Sequence, residues 1–232
     1  MRKRPLAIIS FSGIDGAGKS TQIEALEAWL LQSGLQVSIF SMWDDVVVGA
    51  RWREFASHRA FRGDQGIGSP EKPLERRDKN VTSRPLELIR LCLYFADAFS
   101  LSLRIRRLQR SSAHEVVIFD RYIYDELANL RLKHWLPRAM TRLILKLVPA
   151  PDLACIIDIS PEVARFRKPE YPLEFLHRNR HAYLALREFV PNLAVVENSS
   201  VEETAMKIRA ALLPILSQSS GPAAGTFAAM LH

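Results

Sequence analysis

The nine residues GIDGAGKST (13–21) constrain this chain more than any other stretch. Residues 13–20 fit the pattern G-x-x-x-x-G-K-[ST] without mismatch. They stand between an apolar run, LAIISFS (6–12), and a helix-patterned segment, 19–33. The pattern reads as a phosphate-binding loop when it leaves a strand and opens a helix, and both conditions are met. Gly13, Gly16 and Gly18 let the backbone turn tightly and bring N–H groups against phosphate oxygens. The start of the helix adds partial positive charge. Lys19 is placed to reach β- and γ-phosphates, and the Ser20 hydroxyl to ligate Mg²⁺. Asp15, Ala17 and Thr21 complete the expected nucleotide-contacting set.

Four further apolar runs read as strands: QVSIFSM (36–42), EVVIFD (115–120), LACIIDI (153–159) and LAVVEN (193–198). With LAIISFS they are rich in Val and Ile and hardly alternate, as strands buried on both faces of a parallel sheet do. Helical patterns separate them. In 19–33, Ile23, Leu26 and Leu30 share a face with Trp29 near it, and Gly34 follows as a C-cap. In 85–109, Leu88, Leu91, Phe95, Phe99 and Leu103 recur at helical spacing, with Pro85 in the first turn. More helix is expected over 123–147, interrupted near Pro137, and over 172–189 and 201–216. The alternation predicts a three-layer αβα sandwich of right-handed βαβ units. One domain is expected over 1–216, with a mobile loop at 57–85 and a flexible tail at 217–232.

A second anchor is EVVIFDRYIYDELAN (115–129). Asp120 ends a buried strand, where a carboxylate can organise Mg²⁺, and Arg121 follows where it can touch a transferring phosphate. The formal charge of +7 suits anionic partners without choosing among them. The loop at 57–85 carries a single aromatic, Phe61, which argues against a nucleic-acid partner. Segment 131–147 is basic and amphipathic, and reads as a core-packing helix with a solvated face rather than a membrane-surface helix. No apolar run approaches the roughly 18–20 residues of a membrane span. The basic-then-apolar start, MRKRPLAIIS, is too short and reaches Asp15 too soon for a signal peptide. Cys92 and Cys155 both lie in apolar runs and read as buried thiols, with no disulfide framework, so a reducing, cytoplasmic setting is expected.

Three stretches resemble the thymidylate kinases of the P-loop nucleoside-monophosphate kinase group. They are FSGIDGAGKSTQIEALEAWL (11–30), VVIFDRYIYDELAN (116–129) and PDLACIIDISPEVARFRK (151–168), within a likeness that spans 5–215. The resemblance implies a five-stranded parallel sheet of order 2-3-1-4-5. It implies ATP and Mg²⁺ as co-substrates and γ-phosphoryl transfer to dTMP, a small-molecule nucleotide. By position, Asp15 meets the acceptor's 3′-hydroxyl, Tyr94 stacks on its base and Arg121 contacts phosphate. Arg165, Arg167 and Lys168 form a cationic lid within 160–172. A homodimer through the helix at 85–109 is also implied, although an apolar stripe there fits core packing equally well.

The likeness weakens where the acceptor should sit. An Arg-Glu-Pro-type segment is usual after the second strand; SMWDDVV (41–47) stands there instead, placing Asp44 and Asp45 where a cation is expected. The Arg that follows the stacking aromatic by four residues is Ala98, and a Ser of the Asp-Arg-Tyr segment is Asp125. A monophosphate acceptor is already an anion and needs cations, whereas a hydroxyl acceptor is helped by a carboxylate base. Asp44 and Asp45 therefore favour a nucleoside or other hydroxyl acceptor, unless they merely cap a surface turn. Arg51, Arg53 and Arg90 are candidates for the missing cations, and Arg90 lies one helical step (i, i+4) before Tyr94. Trp43 either lines the acceptor pocket or packs at a strand end. A third reading, a P-loop protein that binds nucleotide without transfer, is disfavoured by the Lys19–Ser20–Asp120 set and the lid cations.

Overall fold

A computed structural model describes residues 7–47, 84–110, 115–130 and 134–220. The loop at 57–83, Arg51, Arg53 and the tail from residue 221 lie outside them. Five strands carry the apolar runs: β1 (Ala7–Ser12), β2 (Val37–Ser41), β3 (Val116–Asp120), β4 (Leu153–Asp158) and β5 (Leu193–Glu197). They form one sheet of order β2-β3-β1-β4-β5, and every neighbouring pair is parallel. The helices are α1 (Lys19–Gln32), α2 (Arg84–Arg110), α3 (Ile123–Leu127), α4 (Trp135–Leu147), α5 (Pro161–Arg167), α6 (Leu173–Ala185) and α7 (Val201–Ser220). They cover both sides of the sheet, so the fold is the expected P-loop αβα sandwich. Among the described residues no helix is long and apolar enough to cross a membrane.

The register brings the chemistry to one edge. Phe11 pairs with Asp120, Ser12 with Ile156, and Ser41 with Asp120. The loops that leave β1, β2, β3 and β4 therefore emerge side by side, at the carboxyl ends where parallel α/β sheets bind ligands.

Local differences from the sequence reading have physical causes. The central strands β1, β3 and β4 are buried almost throughout, but β2 and β5 are edge strands and only partly covered. β2 stops at Ser41, because Met42–Val46 closes a π-helical turn. Of the expected stripe, helix α2 buries Leu91, leaves Phe95 partly buried and exposes Leu103 and Phe99, the last at 61%; its buried face runs instead through Tyr94, Ala98, Leu101, Ile105 and Leu108. The helix is apolar on two faces, so spacing alone does not select the inner one. Cys92 lies outward and is exposed, contrary to the sequence reading, while Cys155 is buried in β4. The break in 123–147 falls before Pro137, which sits in the first turn of α4, where a missing N–H costs nothing. α7 continues to Ser220 across the start of the expected tail. Gly34 follows α1 with φ +78°, its N–H bonded to the Leu31 carbonyl, as a C-cap requires.

Candidate active site

Strand β1 delivers its buried chain into the loop at Gly13. Positive φ at Gly13, Gly16 and Gly18 turns the backbone into a cup that opens on α1. Beside it lies a cavity of about 440 Å³. Its wall holds Asp15, Gly16, Gly18, Lys19, Ser20, Thr21, Asp120, Arg121 and Arg167 of the expected set, with Lys168. Gln22, Asn198 and Val201 complete it. Gly13 and Ala17 are buried in the loop behind this wall.

Lys19 is buried, and its Nζ donates to the carbonyls of Gly13 and Ile14, both at 2.9 Å. The loop's own oxygens thus hold the amine beside the phosphate seat. Burial, and then the Arg121 charge, lower its pKa to about 8, against the pull of Asp15, Asp125 and Asp120. Phosphate oxygens replacing those carbonyls would raise it again. Binding of a nucleoside triphosphate should therefore take up protons between about pH 8 and pH 10. Calorimetry at pH 9 in buffers of different ionisation enthalpy measures this uptake, which should vanish at pH 6.5.

Arg121 is held from several sides. Its φ is +68°, the one positive value outside glycine among the described residues. Its N–H donates to the Phe11 carbonyl at 2.9 Å, tying the β3 exit to β1. Its guanidinium meets Asp15 at 2.6 Å and Asp125 at 3.4 Å. Burial works against its charge, but Asp125 and Asp15 outweigh that and raise its pKa. Ser20 and Asp120 face the same space. A hydroxyl and a carboxylate are what Mg²⁺ takes from a protein when phosphates supply the other oxygens, so the donor set fits.

The lid follows β4. Ser160 caps α5, its Oγ accepting from the Val163 N–H at 3.3 Å. The helix then carries Arg167 to within 3.7 Å of where a Cβ on Gly18 would stand. Lys168 pairs with Glu170 at 3.4 Å. Arg165 is half-buried and is not part of the cavity wall.

The acceptor candidates are placed differently. Asp44, Asp45 and Trp43 are exposed on the π-turn, outside the cavity wall, and Asp45 accepts the Ser41 N–H at 2.7 Å as a local cap. Tyr94 is buried in α2, near Asn129 of the α3 exit. Burial, followed by the Glu126 charge, pushes its phenol well above the ordinary range, so it stays neutral. Arg90 is half-buried on the same helix, and Asp97 and Ala98 are fully buried.

Some site residues have no sequence signal. Asn198, after β5, donates from Nδ2 to the Ala17 carbonyl at 2.5 Å and so clamps the phosphate loop from the far strand. Asp158, at the end of β4, takes two hydrogen bonds from Arg180 of α6, at 2.6 and 2.7 Å. That pair fixes the strand end from which α5 departs.

No family model matches the chain. It is similar to the thymidylate kinase of Leifsonia xyli subsp. xyli, 34% identical over 90% of this chain and 95% of the relative. It is 26% identical to a probable thymidylate kinase of Methanosphaera stadtmanae, over 84% and 91% of the two chains. It is 28% identical to the thymidylate kinase of Bifidobacterium longum subsp. infantis, over 90% and 86%. Likenesses of this length take in most of the fold, and the chain belongs to the thymidylate kinase family.

Proposed function

We propose that the protein transfers the γ-phosphoryl group of ATP to dTMP, giving ADP and dTDP. The observation that carries this reading is the meeting of three cations, Lys19, Arg121 and Arg167, with Asp15 around one cavity. Two phosphate groups brought together need such cations, and a monophosphate needs no base to attack. The loop N–H groups hold the β- and γ-phosphates, and Lys19 moves from the Gly13 and Ile14 carbonyls onto them. Arg121 exchanges Asp15 for acceptor phosphate, and Arg167 with Lys168 closes over the equatorial oxygens. Mg²⁺ held by Ser20 and Asp120 would screen the phosphate charge and orient the transferring group. Asp15, once released, meets the acceptor's sugar hydroxyl, and Tyr94 with Arg90 belongs to the wall behind its base. The exposed carboxylates of Asp44 and Asp45 stand apart from this set, so no base is assigned to them.

The two free thiols suit the cytoplasm. The outward stripe of α2, with Ile89, Leu93, Phe99 and Leu103 exposed, supports a homodimer through that helix. Phe99→Asp should then sediment as a monomer where the unaltered chain sediments as a dimer; sedimentation velocity decides. The activity is tested by incubating the protein with Mg²⁺ and ATP against a panel of monophosphates and nucleosides, and identifying products by mass. Formation of dTDP from dTMP supports the reading. Phosphorylation of a nucleoside alone, or of nothing, removes it.

A further inference from the structure

Asp125 is almost fully buried, yet its carboxylate meets four donors from three parts of the fold. Oδ2 accepts from Ser12 Oγ of β1 at 2.5 Å and from the Tyr122 N–H at 3.1 Å. Oδ1 accepts from Tyr183 Oη of α6 at 2.8 Å and from Arg121 Nη1 at 3.4 Å. A buried carboxylate held through both oxygens in this way is fixed in place. Asp15, the other partner of Arg121, belongs to the phosphate loop and faces the cavity. One carboxylate is therefore locked in the protein, and the other stands where anionic substrate arrives.

We propose that Asp125 is the positioning residue of Arg121: it anchors the guanidinium from behind, so that Arg121 exchanges Asp15 for substrate phosphate without leaving the cavity. The inference rests on the kinase reading above, in which Arg121 touches phosphate. One observation and one electrostatic argument carry it. Arg121 adopts a left-handed backbone conformation that ordinary residues avoid, pinned through its N–H to Phe11. Such a conformation is maintained when the surroundings over-determine it, and the Asp125 network is what surrounds it. Secondly, the incoming phosphate repels Asp15 and competes with it for the same guanidinium face. Without a second, fixed carboxylate, Arg121 keeps only the partner that must let go. Asp125 also ties Ser12, at the end of β1, to Tyr183 on α6, so the anchor is built on two rigid elements rather than on the loop.

The test uses four full-length proteins: wild type, Asp125→Asn, Arg121→Lys and the double variant. kcat and KM for dTMP are measured with saturating Mg²⁺-ATP, and calorimetric dTMP binding provides the same comparison where turnover is too slow. Asp125→Asn should lower kcat/KM by about a hundredfold when Arg121 is intact, the scale of a misplaced catalytic group. Made on top of Arg121→Lys, it should change kcat/KM less than about threefold, because the two-sided hold is already gone. Tyr183→Phe, which keeps the carboxylate and loosens it, should give a smaller loss of the same pattern and serves if Asp125→Asn does not fold. Equal fold-losses in the two backgrounds would overturn the proposal, since a merely structural residue acts alike in both. A wild type that makes no dTDP overturns the kinase reading instead, so the two failures are distinguishable.

Discussion

Lys19→Ala should abolish turnover while leaving the fold and its melting temperature in place. Its amine is buried in the loop and already directed at the phosphate seat through the Gly13 and Ile14 carbonyls. Removing a preorganised cation of this kind lowers kcat/KM by at least about a hundredfold. Stability behaves differently. The amine titrates near pH 8 in the fold and near 10.5 when free, so the fold disfavours its charged form. Unfolded chain binds that proton more tightly, and stability gained from the site rises with pH from about 8 to about 10.5. At neutral pH, alanine relieves this desolvation as it removes two hydrogen bonds. The net change should stay within about 4 °C, the shift that ~1 kcal/mol produces in a domain of this size. Steady-state kinetics and a thermal melt on the same sample check both halves.

Gly16→Ala should damage both stability and activity. Gly16 has φ +84°, and a Cβ there would collide with the backbone carbonyl oxygen of Ala164, with the Ala164 Cα only 3.1 Å away. Neither atom is the end of a flexible side chain. The left-handed conformation alone costs about 1–2 kcal/mol for an L-residue, and the clash must then be relieved by moving α5. Arg167 and Lys168, at the end of that helix, leave the cavity with it. The melting temperature should fall by about 4 °C or more, and kcat/KM by about a hundredfold. Gly34→Ala is the control. Its φ is +78°, but nothing lies within 4 Å of the added Cβ. It should lower the melting temperature by a similar conformational increment and leave kcat/KM unchanged.

The phosphate loop and the strand and helix that frame it were legible because they are local in the chain. The short run from Gly13 to Lys19 makes the cup, and the strand and helix around it can be read from apolar runs and spacing. Asp120–Arg121 was legible for the same reason, as a charged pair ending an apolar strand. The contacts that hold these residues in place were not, because they are assembled across the fold. Asp125 is visible in the sequence as a departure, but its hold on Arg121 depends on Tyr183, 58 residues further along, and on Ser12. Asn198 reaches Ala17 across 181 residues. Asp44 and Asp45 drew attention by their charge, but the π-turn after β2 directs Asp45 to the Ser41 backbone instead. In α2 the expected stripe through Phe99 missed the inner face because apolar residues lie on two faces, and only packing against α3 and α4 selects the face through Tyr94 and Ala98.

The claim that one cavity passes phosphate from ATP to a monophosphate is tested most directly with ATP labelled at the γ-phosphoryl group. The protein, Mg²⁺, labelled ATP and equal concentrations of dTMP and thymidine are incubated together, and the products are separated and weighed by mass spectrometry. The expected result is one label in dTDP for each ADP formed, with thymidine untouched. Label in thymidine monophosphate with none in dTDP, or ADP formed with the label released only as inorganic phosphate, would contradict it.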